Sequence, residues 1–182
     1  VLNRILFSYF KFGRPFEDAL VVSFNLLSVR LFGLKCRVID REKYYSKEEP
    51  SLIIANHSSL VDIGLIYEAT RKGGLRMLAK KELFRTPFFG WALWASHFVS
   101  IDRGHPESAR IARETLSSRL KANYQMFLAP EGTRSKDGKL LPFKSGAFRI
   151  AVEQNVPIVI IALLKPWVFL PKSQIIPLSK GL

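Results

Sequence analysis

A histidine and an aspartate, His57 and Asp62, stand in the stretch Asn56-His57-Ser58-Ser59-Leu60-Val61-Asp62, and a second polar cluster, Glu131-Gly132-Thr133-Arg134, follows further along the chain. An imidazole held at one ring nitrogen by a carboxylate keeps the other nitrogen free to take a proton from a hydroxyl. In the second cluster Gly132 permits a sharp turn, Thr133 brings a hydroxyl, and Arg134 brings a planar fork suited to phosphate oxygens. Glu131 could pin that turn through backbone amides or hold an arginine. The chemistry these types allow is activation of an alcohol beside a bound phosphate.

Spacing constrains how the pair can meet. Five residues along an α-helix turn through about 140°, so His57 must sit on a loop or first turn with Asp62 reaching back from the helix that follows. No nucleophile of the protein stands out: Ser58 and Ser59 adjoin the base, but no Gly-x-Ser-x-Gly elbow occurs, and the single Cys36 lies upstream without a nearby His. The economical reaction is direct attack by the substrate hydroxyl on an activated acyl group. Taken alone, His57 with Asp62 also fits a helix start carrying a surface charge, and Glu-Gly-Thr-Arg also fits an ordinary polar turn. Ile101-Asp102-Arg103 reads as a third strand ending in charge.

Taken together the blocks resemble the 1-acylglycerol-3-phosphate acyltransferase family, the lysophosphatidic acid acyltransferases and their glycerolipid-acylating relatives. The resemblance rests on residues 56–62, then Ala79-Lys80-Lys81-Glu82-Leu83-Phe84 with Pro87-Phe88-Phe89-Gly90, and Phe98-Val99-Ser100-Ile101-Asp102-Arg103. Ala129-Pro130-Glu131-Gly132-Thr133-Arg134-Ser135, Phe143-Lys144-Ser145-Gly146-Ala147 and Val156-Pro157-Ile158-Val159 complete it. It implies that His57 is the general base and Asp62 its orienting partner, with the acceptor's phosphate bound by Arg103 and by Glu131, Gly132, Thr133 and Arg134. Lys80 is a further candidate. Ile160 stands where members often carry a second Pro, which touches the shape of the pocket wall rather than the chemistry. The implied reaction moves a fatty acyl group from acyl-CoA or acyl-ACP to the sn-2 hydroxyl of 1-acylglycerol-3-phosphate, giving phosphatidic acid, with the thioester as co-substrate and no cofactor. The implied partners are a lysophospholipid acceptor, an acyl thioester donor that in some cases rides on acyl carrier protein, and an anionic membrane surface. The alternatives are a different lysophospholipid or lipid acceptor, or a non-enzymatic basic module that binds membranes. His57, His97 and His105 form no ligand-spaced cluster, so no metal site is read.

The elements needed to position these residues are an α/β set: a mainly parallel central sheet flanked by helices, preceded by an N-terminal apolar two-helix hairpin. Strands are expected over 52–55, 76–79, 98–101, 125–128 and 156–164, and helices after His57, around 81–94, over 106–123 and over 145–153. Alternation of this kind makes a parallel sheet, whose carboxyl edge is where ligand sites form. The 182 residues are 48% hydrophobic, enough for a real core. The division expected is 1–34 for a membrane-associating hairpin and 35–182 for the acyltransferase αβ domain. The chain opens at Val1 and stops at Leu182 shortly after a strand-like segment, so further terminal residues are expected.

Location is read from the first third and from charge. The runs 1–12 and 19–29 are apolar but shorter than the roughly 18 to 20 residues that span a bilayer, and they suit a hairpin lying in one leaflet with Lys11, Arg14 and Arg30 among the headgroups. The same runs would also serve as buried core helices. A cleaved signal peptide is not expected, because no small-residue cleavage site follows. The net charge is +13. Nine Lys and Arg precede Pro50 and six lie between Arg71 and Arg85, a spread without a nucleic-acid-binding signature, so anionic lipid rather than nucleic acid is the expected partner. The expected location is the cytoplasmic face of a membrane. Phe89, Trp91, Trp94 and Phe98 are candidates for closing an acyl tunnel.

Overall fold

The computed structural model describes residues 13–40, 49–71 and 74–174. The first half of the expected hairpin therefore lies outside the described residues. Its second half is one helix, α1 (Arg14–Leu31), longer than the apolar run because Gly13 and Pro15 start it at its first turn. Then follow β1 (Leu52–Ala55), α2 (Asp62–Thr70), β2 (Leu75–Lys80), a 3-10 turn (Lys81–Arg85), α3 (Phe89–Ala95), β3 (Val99–Ile101) and α4 (Pro106–Lys121). The chain continues with β4 (Gln125–Leu128), α5 (Gly146–Gln154), β5 (Ile158–Ile161) and the short α6 (Pro166–Phe169).

All strand pairs are parallel, in the order β3-β2-β4-β1-β5. Alternate side chains of one strand serve opposite faces. Ile53 and Ala55 of β1 join Val21 of α1, Ile66 and Tyr67 of α2, and Leu93 of α3 in one layer. Leu52 and Ile54 join Ala112, Leu116 and Leu120 of α4 and Ile150 and Ala151 of α5 in the other. β1 is buried along its whole length, which accounts for its unbroken apolar run.

Two expected elements differ, each for a local reason. The helix expected around 81–94 is split, because Pro87 forces Thr86 into an extended conformation with ψ 126°. The strand expected over 156–164 ends at Ile161. Beyond it the Asn56 side-chain amide takes both backbone groups of Leu163, donating to its carbonyl at 2.9 Å and accepting from its N–H at 2.8 Å. A side chain there replaces the strand ladder.

α1 packs closely on α2, where a Cβ on Gly64 would lie 2.6 Å from Val29 Cγ2. Its outer face is a helical stripe of exposed Phe16, Leu20, Phe24, Leu27 and Leu31. Among the described residues no helix is long and apolar enough to cross a membrane. Arg14, expected among lipid headgroups, is engaged elsewhere: it donates to the carbonyls of Ala122 and Asn123 and lies 4.1 Å from the centre of the Tyr124 ring. Below the sheet, Arg76 is fully buried and donates to Asp18 Oδ1 at 2.5 Å, fixing α1 to β2.

Candidate active site

The carboxyl ends of β1 and β4 are neighbours, so the loops carrying His57 and Glu131 leave the sheet side by side. Asp62 is the first residue of α2 and completely buried. Its Oδ2 accepts from the backbone N–H of Ser58 at 2.7 Å and of Ser59 at 2.8 Å, and lies 2.8 Å from His57 Nδ1. The two amide contacts fold residues 57–59 back over the helix start, bringing the imidazole to a carboxylate that an uninterrupted helix would hold on another face. A carboxylate only accepts, so the shared proton belongs on Nδ1 and Nε2 has its lone pair free. The His57 side chain keeps 17% of its surface open.

Both backbone groups of His57 have partners. Glu131 is 3% exposed. One of its oxygens accepts from His57 N–H at 2.8 Å and the other from Leu141 N–H at 2.9 Å. Its carboxylate thus binds two loops of the protein itself, in the way expected of a residue that pins the turn through backbone amides. The His57 carbonyl accepts from Ser135 N–H at 2.8 Å. Ser59 is fully buried and its Oγ donates to the Leu170 carbonyl at 2.7 Å, tying the loop to a small core of Val61, Phe169 and Leu170.

Gly132 has φ +71°, where a side chain is strained. Thr133 is exposed and Arg134 partly so, and one guanidinium nitrogen of Arg134, Nη1, is buried without a hydrogen-bond partner. His57, Asp62 and residues 131–134 therefore form one group on β1 and β4. Lys80 and Arg103 form another. Lys80 ends a strand two places from β1, about 10 Å away at ordinary strand spacing, and Arg103 follows a strand three places away, about 14 Å. Lys80 Nζ is 3.3 Å from Glu82, and Lys81 Nζ is 3.6 Å from Asp102. Partial burial pushes the Arg103 guanidinium below its ordinary pKa, with Glu82 opposing.

Sequence reasoning assigned no place to Asn56, Ser59, Lys144 or Lys172. The first two stand inside the His57 block and Lys144 inside the Phe143–Ala147 block, so their company was the available signal. Lys172 stands in no block and carried none.

Fold and site define a parallel α/β domain with a carboxylate-held histidine at its carboxyl edge, next to a basic turn. The family model described as Acyltransferase matches residues 35–164, and the chain belongs to that family. It is 42% identical over 110 residues to a 1-acyl-sn-glycerol-3-phosphate acyltransferase of Cocos nucifera, covering 60% of this chain and 35% of the relative. It is 31% identical over 153 residues to the human alpha form of that name, covering 83% and 53%. The crystal structure of the 1-acyl-sn-glycerophosphate (LPA) acyltransferase PlsC from Thermotoga maritima superposes with a TM-score of 0.71 at 27% identity, covering 93% of this chain and 68% of that one. The chain thus spans about half or less of the length of these curated relatives.

Proposed function

We propose that this chain is the catalytic part of a membrane-associated O-acyltransferase that esterifies the sn-2 hydroxyl of 1-acylglycerol-3-phosphate, using acyl-CoA or acyl-ACP as donor. The observation that carries this reading is the contact between His57 Nδ1 and the buried Asp62, on the strand end next to the Glu131–Arg134 turn. The names of the relatives supply the acceptor.

Nε2 of His57 takes the proton of the acceptor hydroxyl as its oxygen attacks the thioester carbonyl carbon. Asp62 stabilises the imidazolium formed. The tetrahedral intermediate collapses by breaking the C–S bond, and the imidazolium returns the proton to the leaving thiolate. Ester and free thiol are the products, and the histidine ends neutral. Arg134 holds the acceptor's phosphate, Arg103 and Lys80 add positive charge to the acceptor's approach further along the sheet edge, and Glu131 keeps the His57 loop in place for the attack.

Membrane association is supported by the exposed apolar stripe of α1 and by the charge of +13. Acceptor and product are lipids, and drawing either fully into water costs about 0.8 kcal/mol for each methylene exposed. A site resting on one leaflet avoids that cost.

The test is transfer from labelled acyl thioester to a panel of lysophospholipids, with His57→Ala beside the wild type. General-base catalysis contributes about 10²- to 10⁴-fold, so His57→Ala should lose that much turnover while its circular dichroism is unchanged. Retention of most turnover in His57→Ala sinks the mechanism, and transfer to none of the acceptors sinks the function.

A further inference from the structure

Three cationic side chains lie on the turn 132–134 with no ion-pair partner among the described residues. Lys172, three residues beyond α6, donates from Nζ to Thr133 Oγ1 at 3.2 Å and to the Arg134 carbonyl at 2.7 Å. Lys144 runs across Gly132, where a Cβ would lie 3.1 Å from both its Cε and its Nζ. Arg134 itself contributes the unpartnered Nη1. The carboxylates that flank the turn in sequence are already engaged: Glu131 with two backbone amides, and Asp137 with Ser135 and Lys139.

Lys172 arrives there by construction. The segment that carries it is fastened to both motif loops: Leu163 to Asn56, Leu170 to Ser59, and the Trp167 indole against Gly138, where a Cβ would come within 1.9 Å of Nε1. Phe169 and Leu170 are each 1% exposed. Both acceptors are neutral groups, so neither pairs with the lysine's charge, and a third N–H is left to offer.

We propose that Lys172 is a direct ligand of the acceptor's phosphate, acting with Lys144 and Arg134, and that this cluster selects a phosphate monoester over a diester. The proposal rests on the acceptor reading above and adds to it a residue and a basis for selection. A phosphate monoester carries a charge of about −1.5 to −2 near neutral pH and presents three free oxygens. A diester has one charge at most and one oxygen fewer to bind. Three cations on one turn match the first. The Arg134 fork takes two oxygens, and the ammonium of Lys172 takes the third.

The experiment compares wild type, Lys172→Met and Lys172→Arg on detergent-dispersed 1-acylglycerol-3-phosphate and on lysophosphatidylglycerol, a diester. Lys172→Met should raise KM for the monoester about tenfold, the scale of one charge-assisted hydrogen bond, and leave KM for the diester and for the donor nearly unchanged. Lys172→Arg should restore most of the loss. An unchanged monoester KM, or an equal rise for both acceptors and the donor, overturns the proposal, because a merely structural clamp moves all three together. Titration with inorganic phosphate reads the site without turnover, and Lys172→Met should weaken that binding about tenfold. Phosphate binding that depends on Lys172 in a chain that transfers no acyl group keeps the site and refutes the acyltransferase reading. Equally tight phosphate binding by wild type and Lys172→Met refutes the site.

Discussion

The Glu131 carboxylate, at the end of β4, accepts the backbone N–H of His57, at the end of β1, across 2.8 Å. The residue that opens the Glu-Gly-Thr-Arg block thus anchors the His57 backbone to the end of the neighbouring strand. Its other oxygen holds Leu141, so one buried side chain fixes the base loop and the far arm of the 131–145 loop together.

Glu131→Gln should separate positioning from binding. The amide keeps one acceptor but turns an NH2 toward the second backbone donor, leaving a buried N–H unpaired at a cost of about 1–3 kcal/mol. The expected result is a lower melting temperature and a kcat that falls further than acceptor KM rises. A rise in KM alone, at full kcat, would show that Glu131 touches the acceptor after all.

The outward stripe of α1 should carry vesicle binding. Phe24 and Leu31 are 59% and 77% exposed, so Phe24→Ser with Leu31→Ser removes apolar surface without opening the core. Co-sedimentation with anionic vesicles should drop severalfold at an unchanged melting temperature. Undiminished binding would assign docking to the basic surface of the domain. Deleting α1 is a poorer test, because Val21 and Val29 are core residues.

The Asp18–Arg76 contact should be worth more than any surface pair. Arg76 has 1% of its side chain exposed and Asp18 14%, and removing one partner of a buried pair costs about 3–5 kcal/mol. Urea denaturation of Asp18→Ala should show a loss on that scale. A loss below about 1 kcal/mol, the ordinary worth of an exposed pair, would mean that water reaches Arg76 freely.

Acid should weaken the fold through His97. Burial pushes its pKa below the ordinary value and Arg119 adds to the shift, while Glu17, 3.5 Å away, opposes it. The folded imidazole therefore binds its proton less readily than the unfolded one. Stability is complete above the ordinary value of about 6.5 and declines as pH falls below it toward the folded value. His97→Asn, which tolerates the positive φ of 62° there, should flatten the melting temperature across that window. An equally steep decline in the variant would place the acid sensitivity in other groups.

Much of the fold could be read directly. Leu52–Ala55 and Gln125–Leu128 are strands at the expected bounds, because each is a short apolar run feeding a polar turn. The errors arose where a distant partner overrides local preference. Ile161 ends its strand because a side chain from residue 56 takes over the backbone of Leu163, and no window around Leu163 contains Asn56. Arg14 looks like a headgroup ligand until Tyr124 and two carbonyls claim it. At the site, the spacing of His57 and Asp62 fitted an ordinary helix start as well, and the company of the other sequence blocks singled the pair out. Types and spacing could not divide Glu131 from Arg134, since Glu131 is buried against two backbone amides while Arg134, in the same block, keeps part of its surface open. Lys172 was out of reach because its meaning depends on the path of the chain after β5.

The strand order has a consequence for the newly made chain. β4 lies between β1 and β2, although more than forty residues separate it from β2 in sequence. While synthesis proceeds from the N-terminus, β1 and β2 emerge with the slot between them empty and their inner edges unpaired, the condition in which nascent chains draw in chaperones or one another. The base loop gains the Glu131 contact only after β4 has entered that slot, and its Leu163 and Leu170 contacts only later still. The contacts that hold the His57 loop come from both halves of the described chain, so the loop reaches its final form only after β5 and α6 have packed.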